Sequence, residues 1–385
     1  MREYRTIREL CSSVVDCPHS TPTWTSEGKI VVRNNNIKNG RIDLSSPSYT
    51  DEEHFLQRIK RAVPQPGDLI ITREAPIGDV GMIPEGVECC LGQRMVLLRA
   101  DSSICDNYYL LYSLQSRYVQ HQISWSEGTG TTVSNLRIPH LEQIKIPYLP
   151  LPKQKAIASV LRSLEEKMSI NRKINDNLQQ QAMALYASMF LDNLALETTA
   201  GTLKDIADIT MGQSPSGSSY NEDGNGEVFY QGRAEFGYRF PTRRLYTTEP
   251  KRMAEAGDVL LSVRAPVGDL NVAYERCCIG RGLGAIHGRN GYQSFVLYTL
   301  FALRPQLDVY NGEGTVFGSI NRNALNDMPI DIPSEEAIAA FEAVVRPMDN
   351  MIRSNYEENC RLQELRDSLL PRLMSGEVDV SDIQL

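Results

Sequence analysis

The stretch that most constrains the fold runs from Leu151 to Leu196, because it keeps a seven-residue rhythm for more than four heptads. Ile157, Leu161, Leu164, Met168, Asn171, Asn175, Leu178, Ala182, Leu185 and Met189 follow one another by alternating steps of four and three residues. That is the seam of a coiled-coil helix. Pro147, Pro150 and Pro152 are expected to lie outside the helix and to mark its start. The same ruler moved on by 184 residues lands on Phe341, Val345, Met348, Ile352, Asn355, Asn359, Leu362, Arg366, Leu369 and Leu373. One such stripe alone would read as an ordinary packed helix. Two in one register, each with asparagines at matching seam positions, read as helices that pack on each other.

Their direction follows from size. The segment between the helices has the diameter of a small domain, roughly 35–40 Å, whereas each helix is about 50 Å long. An antiparallel pair lets that domain sit at one end, and a parallel pair would make it span the whole coil. Antiparallel is the expectation, centred near Lys173 and Glu357, with Asn171 facing Asn359 and Asn175 facing Asn355. Such polar seam residues fix register at some cost in stability.

Beyond the helices the chain repeats itself. Pro66-Gly67-Asp68-Leu69-Ile70-Ile71 is echoed by Ala256-Gly257-Asp258-Val259-Leu260-Leu261, and Ala75-Pro76-Ile77-Gly78-Asp79 by Ala265-Pro266-Val267-Gly268-Asp269. Leu111-Tyr112-Ser113-Leu114 returns as Leu297-Tyr298-Thr299-Leu300, Glu127-Gly128-Thr129 as Glu313-Gly314-Thr315, and Ile146-Pro147 as Ile332-Pro333. Ile30–Arg33, Leu69–Arg73 and Met95–Arg99 read as short strands. Residues 107–122 and 294–303 read as matching helices, and the Gly-Asp segments as tight turns. The expected fold is therefore α+β: two α/β domains with two long helices in an antiparallel intramolecular coiled coil, a pseudo-two-fold tandem repeat. The boundaries expected are a first domain at 1–150, a first coil helix at 151–197, a second domain at 198–333, and a second coil helix with a tail at 334–385.

Arg2–Val63 and Gly201–Ala254 diverge most between the halves. A common frame with unlike variable surfaces points to two readers of two targets. A pseudo-two-fold arrangement would match the dyad of duplex DNA. Net charge is −8, yet it is unevenly spread: −1 over 1–150, +1 over 151–199, −2 over 200–333 and −6 over 334–385. The two large segments are nearly neutral and can each hold a local basic face. No apolar run long enough for a membrane span and no leader is evident, so a cytoplasmic chain is expected. The eight cysteines form no CxxC pair, and the adjacent pairs Cys89-Cys90 and Cys277-Cys278 read as reduced, buried strand ends.

The layout resembles the specificity subunits of type I restriction–modification systems. The resemblance rests on Pro66-Gly67-Asp68-Leu69-Ile70-Ile71-Thr72-Arg73, Ala75-Pro76-Ile77-Gly78-Asp79, Leu91-Gly92-Gln93-Arg94, Gly128-Thr129, the 146–152 segment with Gln154, and Asn171-Arg172-Lys173-Ile174-Asn175. It covers nearly the whole chain. It implies a non-catalytic subunit whose two target-recognition domains each read half of a split double-stranded DNA site, with the coil setting the gap. It implies partners too: two methyltransferase (modification) subunits that bind S-adenosylmethionine, and restriction subunits that use ATP and Mg²⁺. No cofactor or metal is implied in the chain itself. The second half departs from the pattern where Ser334-Glu335-Glu336-Ala337 stands for the Leu-Pro-Lys-Gln of 151–154.

The residues agree with a non-catalytic reading. Gly128-Thr129-Gly130-Thr131-Thr132 lacks the Gly-Lys-Ser/Thr ending of a phosphate loop. Glu165-Glu166-Lys167, a nuclease-like pattern, falls on the coil helix. No amino-methyltransferase signature and no Ser–His–Asp set stands out. The alternatives are a coiled-coil adaptor that binds protein only and a thiol enzyme built on the cysteine pairs.

Candidate DNA contacts come from the divergent regions and the turns beside them. In the first domain they are Arg33, Asn34, Asn35, Asn36, Lys38 and Arg41, since Arg suits guanine and Asn suits adenine in the major groove. Arg73, Arg94, Thr129, Thr131 and Asn135 are expected at phosphates or in positioning. Their counterparts in the second domain are Gln213, Ser214, Gln231, Arg233, Arg239, Arg243 and Arg244, with Tyr230 and Tyr238 interleaved; Arg264, Arg281 and Asn321 are assigned to phosphates.

Overall fold

The computed structural model describes residues 3–38, 40–125, 135–312 and 318–378. It divides into two units, Met1–Ile170 with Glu358–Leu385, and Asn171–Glu357. In the first unit Cys11–Asp16, Met95–Ala100, Leu69–Thr72 and Val80–Met82 lie side by side in that order, all antiparallel. Gly40–Ile42 adds to the last of these in parallel. A second sheet sets Lys29–Val32 between Ser48–Thr50 and Cys89–Leu91, parallel to the latter.

Alternate residues of one strand feed two cores. Leu69, Ile71, Val96 and Leu98 pack with the helices, whereas Ile70, Met95 and Leu97 pack with Val32, Leu91 and Cys17. Both faces are covered, which is why these strands read as unbroken apolar runs. The second unit repeats the plan. Ala207–Met211, Leu283–Gly288, Val259–Ser262 and Leu270–Val272 form its main sheet, and Glu227–Tyr230 runs parallel to Cys277–Ile279 in the other. Val259 and Leu261 face the helices, and Leu260 faces the second core.

The repeated turns do the same work twice. Asp68 accepts the Gln65 amide at 2.8 Å and forks onto Arg99 at 2.8 and 2.7 Å. Asp258 accepts the Glu255 amide at 2.8 Å and faces His287 Nδ1 at 2.6 Å. Thr72 Oγ1 and Ser262 Oγ each accept the amide of the aspartate seven residues on, both at 2.9 Å.

The long helices span Leu151–Tyr186 and Glu335–Met374. Each gives one part to each unit. Within the first unit Glu165 faces Arg366 at 3.6 Å, Lys167 faces Glu358 at 3.2 Å, and Asn359 Nδ2 donates to the Met168 carbonyl at 3.4 Å. Within the second unit Asn355 Nδ2 donates to Asn175 Oδ1 at 2.8 Å, and the Tyr186 and Phe341 rings lie 5.6 Å apart. Rising numbers meet falling ones in both: the pairing is antiparallel. Every expected seam residue is buried or half-buried.

Three expectations need correction. Pro152 lies inside the helix, in its first turn, where a missing N–H costs nothing. Met189 lies in a π-helical turn, Ala187–Leu191, that follows the α-helix. The helix expected at 107–122 is two, Asn107–Gln115 and Arg117–Ser124, because Ser116 turns to an extended ψ of 146° and caps the second through Val119. Pro347 sits exposed in the middle of the second long helix, a position that propensity alone would forbid. Gln154 is buried, bonding Ile104 and Leu149 carbonyls and the Asp106 amide at 2.7–2.9 Å. It locks the helix start to the neighbouring loop. In the second unit Glu342 takes a similar part, accepting the Phe295 amide at 2.8 Å.

The asparagine pair gives a test. Asn175→Leu alone strands the Asn355 amide and should cost about 1–3 kcal/mol. Asn175→Leu with Asn355→Leu should regain that loss or exceed wild-type stability. Denaturant unfolding of the four proteins measures the cycle; equal losses from single and double variants would contradict it.

Candidate nucleic-acid interface

In the first unit the parallel strands Lys29–Val32 and Cys89–Leu91 end side by side, and the chain leaves them through Arg33 and Gly92. The Gly92 amide donates to the Val32 carbonyl at 2.7 Å, and a Cβ there would stand 2.9 Å from that oxygen. Only glycine fits so close an approach. Asn34–Asn36 form a short 3-10 turn closed by Asn36, whose Oδ1 accepts the Arg33 amide at 2.8 Å. Asn34 Nδ2 donates to the Glu74 carbonyl at 2.7 Å. The Arg33 guanidinium lies 5.0 Å from the Trp24 ring centre, a cation–π contact on an indole that is 45% exposed.

These ends line an open cleft of about 420 Å³ with Pro22, Trp24, Arg33, Asn34, Asn35, Gln93 and Arg94. Gln93 Nε2 donates to the His19 carbonyl and to Thr21 Oγ1. Arg58, almost fully buried, holds the wall from behind by donating to the Leu91, Ser20 and Pro18 carbonyls at 2.8, 3.0 and 3.2 Å. Burial pulls its pKa below the usual arginine value. Trp24 and Arg58 carry no periodic or motif signal in the sequence, and Gln93 figures there only within the Leu91-Gly92-Gln93-Arg94 motif.

The second unit builds the same place with other side chains. Its strand ends meet through Gln231 and Gly280, the Gly280 amide donating to the Tyr230 carbonyl at 2.8 Å. Gln213 is tied by its amide to the Ile279 carbonyl at 3.0 Å, and the Arg281 amide donates to Ser214 Oγ at 3.2 Å. Gln213, Ser214, Gln231 and Arg281 thus come together from three segments. Gln213, Gln231 and Arg281 are exposed, and no ion pair holds Arg281 among the described residues. The cluster offers amides, a hydroxyl and a guanidinium, the groups that bond base edges and phosphates.

Other candidates fall elsewhere. Lys38 pairs with Asp43 at 2.7 Å, and Arg41 donates to the Glu165 carbonyl on the long helix at 3.1 Å. Asn36 is buried and structural, its Nδ2 spent on the Asp43 carbonyl. Arg73 is likewise an internal brace, bonding Asp16 at 2.9 Å, the Leu136 carbonyl at 2.9 Å and Asn135 at 3.2 Å. Its position in the repeat is held by Val263 in the second unit, since the Arg73 and Val263 amides donate to the equivalent Arg94 and Gly282 carbonyls. A base-reading role for Asn36 and a phosphate role for Arg73 are therefore set aside.

Arg239 is set aside too. It is 5% exposed, paired with Asp349 and bonded to Gln179 at 3.2 Å, so it pins its loop to both long helices. Tyr230 is buried, and Tyr238 is exposed. Arg233 pairs with Asp269 at 2.9 Å, Arg243 with Glu275, and Arg244 with Glu235 at 2.7 Å, all on exposed guanidinium groups. Arg264 is exposed and bridges to Ser319 through the backbone. Asn321 caps a short helix by accepting the Ala324 amide at 3.0 Å. Thr129 and Thr131 lie outside the described residues.

The cysteine pairs lie in buried strands, and burial pushes the Cys89 and Cys277 thiols up to about 12 and Cys90 to about 11. Such thiols are inert at neutral pH. Among the described residues no three His, Cys, Asp or Glu side chains gather as a metal site would need, and no helix is long and apolar enough to cross a membrane.

Arg239→Ala should destabilise the protein by about 3–5 kcal/mol, because it leaves Asp349 half-buried beside Tyr298 without its cation. Thermal unfolding reads the loss; an altered DNA preference with unchanged stability would restore Arg239 to the interface.

Residues 4–180 match the family model described as "Type I restriction modification DNA specificity domain". The chain is 28% identical over 378 residues to a putative type I restriction enzyme MjaX specificity subunit of Methanocaldococcus jannaschii, covering 92% of this chain and 88% of that one. It is 21% identical over 353 residues to the MjaIX specificity subunit of the same organism, covering 82% and 79%. A solved type I restriction–modification S subunit from M. genitalium has the same fold, with a TM-score of 0.57 at 18% identity over 97% of this chain and 96% of that one. With its duplicated domains and antiparallel coil, the chain is similar, over residues 4–180 by the family match and over most of its length by these relatives, to the specificity subunits of type I restriction–modification systems.

Proposed function

We propose that each unit reads one half of a two-part double-stranded DNA site through the cleft at the ends of its parallel strands. One observation carries this: the same scaffold position is built twice and furnished differently. Arg33, Asn34, Asn35, Gln93 and Arg94 line it in the first unit, against Gln213, Ser214, Gln231 and Arg281 in the second. Two walls of equal build and unlike chemistry suit two different half-sites. Phosphate contacts would come from exposed cations outside these strand ends, Arg264 and Arg244 among them, which position the duplex without naming a base.

The family implies the partners. Two modification subunits, carrying S-adenosylmethionine, would methylate the site that this chain selects, and restriction subunits using ATP and Mg²⁺ would join them, all in the cytoplasm. The four-part division at 1–150, 151–197, 198–333 and 334–385 is retained as a functional proposal: two reading domains and two helices that dock partners. The adaptor and thiol-enzyme alternatives are not favoured.

Methylome mapping with the reconstituted modification complex tests the reading. A bipartite methylated motif is expected, and Arg33→Ala should relax base preference in one half only, by about 1–3 kcal/mol of discrimination. Relaxation in both halves or neither would count against independent readers. With a net charge of −8 the chain alone should bind DNA weakly, and tightly only with its modification subunits. Nanomolar specific binding by the isolated chain at physiological salt would contradict that.

A further inference from the structure

Arg94 is one of three non-glycine residues with positive φ among the described residues, at +65°. Its place in the repeat is held by Gly282, whose carbonyl accepts the Val263 amide at 2.9 Å as the Arg94 carbonyl accepts the Arg73 amide at 2.8 Å. The first unit thus holds an arginine in the left-handed region, a conformation that the glycine at this place in the second unit does not take. Departures of this kind gather at sites where the side chain is needed.

The side chain is also held. Arg94 Nε faces Glu74 Oε2 at 3.1 Å, and the other oxygen of Glu74 accepts Asn135 Nδ2 at 2.6 Å. Asn135 is fixed by Arg73, and Arg73 by Asp16. A relay of five side chains, mostly half-buried, therefore ends on a guanidinium that is 54% exposed and lines the cleft. With Nε beside Glu74, no other ion pair or hydrogen bond holds the guanidinium among the described residues, which leaves its terminal nitrogens as a fork. In the second unit the relay is absent: Val263 replaces Arg73, Arg264 replaces Glu74, and the arginine at the strand ends is Arg281, one position earlier.

We infer that Arg94 is a specificity-determining residue that reads a guanine in the first unit's half-site, with Glu74 as its positioning residue. A fork held at Nε presents two donors to the O6 and N7 acceptors that guanine alone offers in the major groove. The inference rests on the reading of the clefts as DNA-facing and adds the base and the residue to it.

The test uses the chain assembled with its modification subunits, with methylated sites mapped at single-base resolution. Wild type should require guanine at one position of one half-site. Arg94→Gly should lower discrimination there about five- to a hundredfold, leave the other half-site intact, and unfold at a temperature no lower than wild type, because glycine accepts φ +65°. Glu74→Gln should loosen the same position by a smaller factor. Unchanged base preference with evenly reduced methylation of all sites would make Arg94 a backbone contact and overturn the inference. So would a change confined to the second unit's half-site. A wild-type complex with no two-part motif would overturn the underlying function as well.

Discussion

Neither unit owns a whole long helix, and each core depends on both. In the first, Ile157 and Leu161 from one helix and Leu373 and Met374 from the other join Tyr109, Leu114 and the main sheet in one cluster. In the second, Ala182 and Tyr186 meet Ile338, Phe341 and Val345 over Val259 and Leu261. Phe341 there touches the rings of Tyr186, Phe190, Phe295 and Tyr298 at 5.4–6.4 Å, contacts worth about 0.5–1.5 kcal/mol each beyond burial. The helical seam is therefore the interior of each reading domain as well as the link that the chain makes between them. A strut bolted on from outside would leave each sheet with one face wet.

On that base the clefts follow from a local geometry that sequence-distant residues share. Parallel strands finish at the same edge, so Arg33 and Gly92, or Gln231 and Gly280, leave as neighbours. The glycine lets one strand end press on the other, and everything beyond it projects outward. Behind the first cleft the buried Arg58 ties together the Leu91, Ser20 and Pro18 carbonyls. A buried frame carries exposed tips, the usual division between scaffold and binding loop.

The periodic parts of this design were legible in the residues. The seam, its antiparallel sense, the asparagine pair, the duplication and the strands follow from rhythm and repetition, which survive in one dimension. What the sequence hid depends on tertiary position. Pro152 is tolerated because it falls in a first helical turn, and Pro347 stays helical in an element held by packing on both sides. Ser116 breaks a helix because its hydroxyl finds a local partner. Arg239 and Arg73 look like solvent-facing cations until the fold supplies Asp349 and Asp16. Glu74 and Asn135, 61 residues apart, become neighbours only once Leu136 pairs with Arg73.

The interleaving of the helices has a consequence for how the chain is made. Residues 171–357 contain the whole of the second unit, so all its core groups are present once synthesis has passed Glu357. The first unit joins residues 1–170 to residues 358–385, so its core waits for Leu373 and Met374, made after the whole of the second unit. Domains generally fold in the order in which they leave the ribosome. Here the earliest sheet to emerge must wait, with one apolar flank uncovered, until the last helical turns arrive.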